Sequence, residues 1–194
     1  MPGDTATHRS ILDAGRRTVA SKGWAAVGLN EILRTADAPK GSFYHYFASK
    51  DAFGEAMMRD YFIDYVADMD RIFARQGPSW AERLMEFWFQ WRETQSLDDC
   101  QGKCLAVKLG AEVADLSEPM RLAIKDGTTE IIGRIERVIR SGTAEGSLTV
   151  DAPPYAVAQT LYELWLGASV MAKVHRDLGP VDDALALTAQ MLHL

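Results

Sequence analysis

Apolar residues recur at helical spacing along almost the whole chain, and this periodicity limits the possible folds more than any other feature. In residues 80–97, for example, Trp80, Leu84, Phe87 and Trp91 are three or four positions apart and therefore share one helical face. No segment alternates apolar and polar residues as a half-buried strand does. The pattern predicts an all-α protein of about nine helices.

The breaks between these segments carry residues that begin and end helices. Gly23 is placed to end the first helix, as a C-terminal glycine does. Ser49 and Ser79 each precede a long helix and are good N-caps. The segment SGTAEGSLTVDAPP, residues 141–154, predicts that another long helix ends near Arg140.

Charge is distributed unevenly along a chain whose net charge is −6. Residues 1–50 contain seven Lys and Arg against four Asp and Glu, and the remaining residues contain 14 against 23. A basic head on an acidic body is typical of a protein whose first part meets phosphate. No run reaches the roughly 18 apolar residues of a membrane span, and residues 1–10 lack the apolar core of a signal peptide. We therefore expect a cytoplasmic protein with no membrane contact.

The segment DAPKGSFYHYFASK, residues 37–50, contains the third of three short helices predicted near the start of the chain. A tight turn separates the second helix from the third, which is the arrangement of a helix-turn-helix. Phe43 and Phe47 are four positions apart, so they share a face, and we expect them to pack on the two preceding helices.

The other face of this third helix has the chemistry of a surface that contacts DNA. Lys40 and Ser42 stand at its start, where free N–H groups favour phosphate. The Tyr44 ring suits a thymine methyl group, and its hydroxyl or His45 can reach phosphate. Gly41 costs the helix about 1 kcal/mol relative to alanine, which a close approach to a partner explains. The alternative is that the rings only hold a small head together.

The segment GLNEILRTADAPKGSFYHYFASKDAF resembles the DNA-binding signature of TetR-family transcriptional regulators. The resemblance is specific from about Thr7 to Ala56. It implies a helix-turn-helix head over residues 5–56, with the motif at about 28–47, and an effector-sensing and dimerisation domain over residues 57–194. It also implies a homodimer, which would match a palindromic operator in double-stranded DNA.

The family pattern assigns DNA contact to particular positions of the head. Where the family usually has threonine near the start of the motif's first helix, this chain has Val27 and Gly28. Lys50 opens the helix after the motif and is placed for a second phosphate contact. The DNA-contacting residues implied by the chemistry and the resemblance together are Gly28, Lys40, Gly41, Ser42, Tyr44, His45 and Lys50.

A second, narrower resemblance begins at Cys104. The segments CLAVKLGAEVADLSEPMR and LYELWLGASVMAKVHR are similar to the N-ethylmaleimide-responsive branch of the family, which senses reactive electrophiles. In that branch the matching cysteine is the sensor, and Lys173 also matches a lysine. Cys104 stands at a predicted helix N-terminus, where partial positive charge stabilises a thiolate, and Lys103 and Lys108 can add to it.

Oxidation gives this cysteine a second possible chemistry. A sulfenic acid at Cys104 can be trapped by the Cys100 thiol or, if folding brings it close, by the Lys173 amine. The alternative is a buried cysteine that acts as a small apolar residue, and for Cys100 that alternative is preferred.

The run FWFQW, residues 87–91, cannot place every ring on one helical face. Some of these rings are left to line an apolar effector pocket or to cover a dimer surface, although core packing is an equal alternative for each. The candidate pocket residues are Trp88, Phe89, Tyr162, Trp165 and Met171. The segment WLGASVMAK is rich in small residues, so we assign the dimer interface, a four-helix bundle, to residues of about 154–193.

No enzymatic chemistry is apparent in the sequence. The four histidines have no metal-ligand spacing, and no phosphate-binding glycine loop or nucleophile elbow occurs, so we expect no metal, no cofactor and no catalysis. The two resemblances together imply a DNA-binding repressor that leaves its operator when an electrophile or oxidant modifies Cys104. Two alternatives stay open, namely release by a noncovalent apolar ligand and a helical protein-interaction module that does not bind DNA.

Overall fold

The computed structural model describes residues 2–96 and 104–194, and these residues form nine α-helices and no strand. The predicted all-α fold of about nine helices is therefore confirmed. The helices are α1 (Pro2–Lys22), α2 (Leu29–Thr35), α3 (Lys40–Tyr46), α4 (Lys50–Phe73), α5 (Trp80–Ser96), α6 (Leu105–Leu116), α7 (Glu118–Glu145), α8 (Pro154–His175) and α9 (Gly179–Met191).

Several helices begin and end at the residues whose chemistry predicted the boundary. Gly23 ends α1 with a left-handed φ of +86°. The Ser49 hydroxyl accepts the backbone N–H three positions further on, at 3.0 Å, and so caps α4. Ser79 and Glu82 form a reciprocal cap at the start of α5, because each side chain accepts the backbone N–H of the other residue, at 3.3 and 2.7 Å.

The break predicted after Arg140 comes too early, because α7 continues to Glu145. Gly142 remains helical and packs against the chain that follows the helix, since a side chain there would lie 2.8 Å from Leu148. The helix ends instead before Gly146, whose φ is +82°. Gly142 therefore serves close packing rather than termination.

The first of two compact units takes in the described part of Met1–Asp64 together with Cys104–Gly127. Within it α1 packs on α2, α3 and α6. Helix α6 and the start of α7 thus belong to the same unit as the three short N-terminal helices, although they are distant in sequence. The main buried side chains of this unit are Ile11, Leu12, Val19, Ile32, Phe43, Phe47, Phe53, Met57, Leu109 and Val113.

The second unit takes in the rest of the described chain and has a core rich in tryptophan. Trp88 and Trp165 stack with their ring centroids 4.9 Å apart. The Trp91 indole donates a hydrogen bond to the Ser169 hydroxyl at 2.9 Å, and the Trp165 indole donates to the Thr188 hydroxyl at 2.9 Å. These bonds link α5, α8 and α9 and fix the orientation of the rings.

The two units alternate along the sequence, whereas the sequence prediction placed a single boundary after residue 56. The structural division concerns packing only. The division of work between a DNA-reading part, residues 5–56, and a sensing part, residues 57–194, stays a prediction.

Candidate DNA interface and thiol site

Helix α3 divides its side chains between a buried and an exposed face. Phe43 has no exposed surface, and its ring and that of Phe47 lie 5.4 and 5.1 Å from the ring of Phe53. Tyr44, which follows Phe43 directly, is 56% exposed. The core packing predicted for Phe43 and Phe47 is confirmed, and their neighbour faces outward.

The other residues predicted to contact DNA also lie at the surface. Lys40, Gly41 and His45 are exposed, and Ser42 is half-buried. A side chain added at Gly41 would meet no other group, so the helix presents bare backbone there. Gly28 is an exposed N-cap of α2. Contact of these residues with DNA stays a prediction.

Lys50 is bound to Trp24 within the first unit. Its Nζ donates a hydrogen bond to the Trp24 backbone carbonyl oxygen at 3.0 Å and lies 4.5 Å from the centroid of the indole. Burial lowers the pKa of the Lys50 ammonium, although the charges of Asp51 and Glu112 oppose the shift. The Lys50 ammonium therefore holds the start of α4 against the connection between α1 and α2. Its contact with phosphate stays a prediction.

An ion-pair network joins α1 to α4. Arg9 contacts Asp60 at 3.0 Å and Asp64 at 2.7 Å. Arg16 contacts the same two carboxylates, with 2.7 Å to Asp64. Burial opposes the shift, but hydrogen bonds and charges of Arg16 and Arg9 lower the pKa of the Asp64 carboxyl. The network fixes the middle of α4 against the N-terminal helix.

Cys104 is half-buried and is the N-cap of α6. The Tyr61 hydroxyl donates to its Sγ over 3.7 Å. Lys108 lies one turn further along α6, and its backbone N–H donates to the Cys104 carbonyl oxygen at 3.0 Å. Lys173 is half-buried in the last turn of α8 and belongs to the second unit. Outside the described residues lie two further predicted participants, Cys100 and Lys103.

The five candidate pocket residues are not brought together. Trp88, Tyr162 and Trp165 are buried in the core of the second unit, whereas Phe89 and Met171 are exposed. An apolar cavity of about 120 Å³ lies between α4 and α5 of that unit, and its walls include Tyr65, Met69, Ile72, Phe87 and Trp91. It is smaller than the roughly 300–1,000 Å³ of most small-molecule sites. The lining role of the five residues stays a prediction.

The part of the chain that the structure describes contains no group of three or more His, Cys, Asp or Glu side chains placed to hold a metal ion. None of its helices combines the length and the apolar character needed to cross a membrane.

Two family models match the chain. The model described as "Bacterial regulatory proteins, tetR family" matches residues 11–57, and the model described as "Tetracyclin repressor-like, C-terminal domain" matches residues 81–188. The chain belongs to the TetR family. The first match contains the helix-turn-helix of α2 and α3, and the second contains most of the remaining helices.

This TetR-family chain is similar to known repressors over most of its length. It is 37% identical to the HTH-type transcriptional repressor NemR of Escherichia coli over 180 residues, which are 93% of this chain and 90% of NemR. It is 32% identical to the transcriptional regulator AcuR of Cereibacter sphaeroides, over 89% of this chain and 79% of AcuR. The protein is a DNA-binding transcriptional repressor.

The three-dimensional likeness extends over the same length. The crystal structure of the reduced form of E. coli NemR matches with a TM-score of 0.88 and 37% identity, covering 96% of this chain and 97% of that one. The structure of regulatory protein TetR from Rhodobacter sphaeroides matches with a TM-score of 0.86 and 30% identity, covering 95% and 98%.

Sequence reasoning missed the contact that joins α6 to the head of this TetR-family protein. The Glu112 carboxylate accepts hydrogen bonds from the backbone N–H groups of Trp24 and Ala25, at 3.1 and 2.7 Å. The partners are more than 80 positions apart, and one of them is backbone. No periodicity or motif in a single sequence reports such a pairing.

Proposed function

We propose that this TetR-family repressor is a homodimer that leaves a palindromic operator when an electrophile or oxidant modifies Cys104. The observation that carries the proposal is the position of Cys104, because the thiol stands at the start of a helix in the same compact unit as α3. The similarity to NemR over nine-tenths of the chain supports it. A solved structure that matches this chain is of the reduced form of E. coli NemR, and thiol oxidation is part of the chemistry proposed for Cys104.

The exposed face of α3 is the part of the protein that reads DNA. Tyr44 and His45 meet base edges and phosphate, and Lys40 at the start of the helix neutralises phosphate. In a two-fold dimer the two copies of α3 enter successive major grooves about 34–36 Å apart, so the operator is a palindrome with that half-site spacing.

The dimer forms through α8 and α9. Four exposed residues share one face of α8, because each is three or four positions from two of the others: Gly167, Val170, Met171 and Val174, the last 68% exposed. An exposed apolar stripe of this kind is costly in water and suits a second copy of the same helix, and the glycine allows close approach.

A charge placed in this stripe tests the interface. Val174→Lys should shift the protein from dimer to monomer in light scattering, because an unpaired ammonium in an apolar interface is costly. Ile63→Lys is the matched control, since Ile63 is 66% exposed in the first unit. A dimeric Val174→Lys variant would contradict the assignment of α8 to the interface.

The chemistry at Cys104 is that of a nucleophilic thiolate. The sulfur attacks the electrophilic carbon of an activated alkene, an S–C bond forms, and the displaced π electrons end as a C–H bond with a proton from water. With a hydroperoxide the sulfur attacks oxygen, the O–O bond breaks, and a sulfenic acid and an alcohol or water result. Either group enlarges the side chain where the Tyr61 hydroxyl now lies.

DNA binding is tested first. Labelled duplexes from the region upstream of the coding sequence, and duplexes selected from a random pool, are titrated with protein at several salt concentrations. We expect specific, salt-sensitive binding to a palindrome. If neither source yields such a duplex, the proposed operator is wrong.

The switch is tested on the same complex. N-ethylmaleimide should release wild-type protein from DNA and leave the Cys104→Ser variant bound, since serine is not a comparable nucleophile. Equal release of both proteins by the reagent would contradict sensing at Cys104. Release of both by an apolar compound without covalent modification would favour a noncovalent effector instead.

A further inference from the structure

The connection between α1 and α2 is held by a carboxylate from a distant helix. The Glu112 side chain, on α6, accepts one hydrogen bond from the Trp24 backbone N–H at 3.1 Å and another from the Ala25 N–H at 2.7 Å. Bonds from backbone N–H groups to an ionised acceptor are stronger than bonds between neutral groups. We call this pair of bonds the Glu112 clasp.

Gly23 leaves the space that the clasp needs. Its φ of +86° is a conformation that residues other than glycine rarely adopt. A side chain at this position would also lie 3.0 Å from a Glu112 carboxylate oxygen. The last turn of α1 is therefore shaped to receive the carboxylate as well as to end the helix.

Trp24 connects the clasp to the start of α4. Its backbone N–H is bonded to Glu112, and its carbonyl oxygen accepts the hydrogen bond from Lys50 Nζ at 3.0 Å. Trp24 is buried, and both of these hydrogen bonds are partly shielded from water. The positions of Trp24 and of the Lys50 ammonium therefore depend on where α6 holds the Glu112 carboxylate.

The same helix begins at the proposed sensing thiol. Cys104 occupies the N-cap position of α6, and Glu112 lies two turns further on, about 12 Å along the axis at 1.5 Å per residue. The Tyr61 hydroxyl occupies the space beside the sulfur. A group added to the half-buried sulfur competes with the Tyr61 hydroxyl for that space and can displace Tyr61 or α6. A displacement of one end of a short regular helix also moves its other end.

We propose that Glu112 is a positioning residue that couples the state of Cys104 to the DNA-reading helices. While the thiol is free, the clasp is closed and holds Trp24 and Lys50 in the DNA-binding arrangement. Modification of Cys104 shifts α6 and opens the clasp. That modification of Cys104 is the signal rests on the proposed function. The inference adds Glu112 as the residue through which the modification reaches the DNA-reading helices.

Three variants test the clasp, each in full-length protein. Glu112→Ala removes both acceptor oxygens, and Glu112→Gln keeps the shape but loses the charge and one acceptor. Asp115→Asn is the matched control, because Asp115 is an exposed carboxylate on the same helix. A Cys100→Ser background leaves Cys104 as the sole thiol, and mass spectrometry verifies complete alkylation by N-ethylmaleimide.

DNA affinity is measured for each variant before and after alkylation. We expect unmodified Glu112→Ala to bind DNA roughly tenfold more weakly than wild type, since two hydrogen bonds to a charged acceptor are lost. Alkylation should then add little further loss, Glu112→Gln should be intermediate, and Asp115→Asn should behave as wild type.

The change on alkylation separates a positioning role from a structural one. A variant that is only destabilised loses affinity but keeps the full wild-type loss on alkylation. The inference is overturned if Glu112→Ala shows that full loss, or if it binds DNA as tightly as wild type before alkylation.

Amide hydrogen exchange reports whether the clasp is open or closed, and it does so in the absence of DNA. The Trp24 and Ala25 amides should exchange slowly in unmodified protein and faster once Cys104 is alkylated. If alkylated wild type keeps its DNA affinity, the proposed function fails, and exchange alone decides the inference. Faster exchange at the Trp24 and Ala25 amides of alkylated protein supports opening of the clasp, and unchanged exchange overturns the inference. This measurement uses wild-type protein, so it also decides the inference if Glu112→Ala does not fold.

Discussion

Replacement of Tyr44 by alanine should weaken DNA binding far more than it weakens the fold. Tyr44 is 56% exposed, so less than half of its side-chain surface, which is about 200 Å² for a tyrosine, is buried. At about 25 cal/mol per Å², that burial contributes at most about 2 kcal/mol to the free energy of unfolding. Loss of the proposed hydroxyl–phosphate bond should cost about 1.5–3 kcal/mol of binding free energy per half-site, and loss of the proposed base contact should add to that cost at each of the two half-sites.

Phe43 is the control for this prediction, because it precedes Tyr44 on the same short helix and has no exposed surface. Phe43→Ala should lower the free energy of unfolding by about 3–5 kcal/mol. Tyr44→Phe separates the ring from the hydroxyl. It should leave the free energy of unfolding within about 0.5 kcal/mol of wild type, while loss of a hydroxyl–phosphate bond should cost about 1.5–3 kcal/mol of affinity.

Two measurements decide between these outcomes. Urea denaturation gives the free energy of unfolding, and fluorescence anisotropy of a labelled operator at one salt concentration gives the dissociation constant. Wild-type affinity in a folded Tyr44→Ala protein would refute the assignment of this face to DNA. Equal losses of stability in Tyr44→Ala and Phe43→Ala would refute the division of α3 into two faces.

Three further predictions concern charge and packing. Lys40→Ala should reduce the slope of log K against log salt concentration by about 1 per half-site, and an unchanged slope would remove Lys40 from the phosphate contacts. Gly127→Ala should lower the free energy of unfolding, measured by urea denaturation, by about 1–3 kcal/mol, because the added methyl group would lie 2.1 Å from the Phe62 ring. Gly133→Ala on the same helix meets no group and should stabilise by about 0.5–1 kcal/mol. The pKa of the Asp64 carboxyl is lower in the folded than in the unfolded protein, because its ion pairs favour the charged form. These ion pairs therefore stabilise the fold fully above the unfolded pKa of about 3.9, and this stabilisation is lost as the pH falls through the lower folded pKa. Asp64→Asn should flatten that pH dependence in urea titrations.

Local features of the fold could be predicted from the sequence because their causes are local. The reciprocal cap of Ser79 and Glu82 spans three residues, and the two faces of α3 follow from the four-residue spacing of Phe43 and Phe47. The predicted end of α7 near Arg140 comes too early because a glycine that ends a helix and a glycine that admits a neighbour, as Gly142 does, cannot be told apart by residue type. Only the contact with Leu148 distinguishes them.

Features that depend on distant partners could not be predicted. Glu112 was one acidic residue among many on a helix face, and its bond to the Trp24 N–H involves a backbone group that leaves no trace in the residue type. The place of Lys50 after the motif predicts a phosphate contact, which stays a prediction, whereas its contacts with the Trp24 carbonyl and indole ring could not be predicted from the sequence. Residue types narrow the partners that a charged group can have, and the fold selects among them.

Helix α6 belongs to the first unit, so the proposed signal from Cys104 need not pass through the second unit. Because Cys104, Glu112 and α3 fold together, a change at the thiol can reach the reading helix through contacts inside one unit. Under the proposed function, the second unit then needs only to hold two protomers at the half-site spacing. Its tryptophan core is suited to that purpose, because stacked rings and indole hydrogen bonds fix its helices to one another. A core variant there, such as Thr188→Val, leaves the Trp165 indole N–H without its acceptor and should lower stability by about 1–3 kcal/mol. It should nevertheless leave the fold-change in DNA affinity on alkylation unaltered. If instead that fold-change shrinks, the signal passes through the second unit, and the path through α6 is not sufficient.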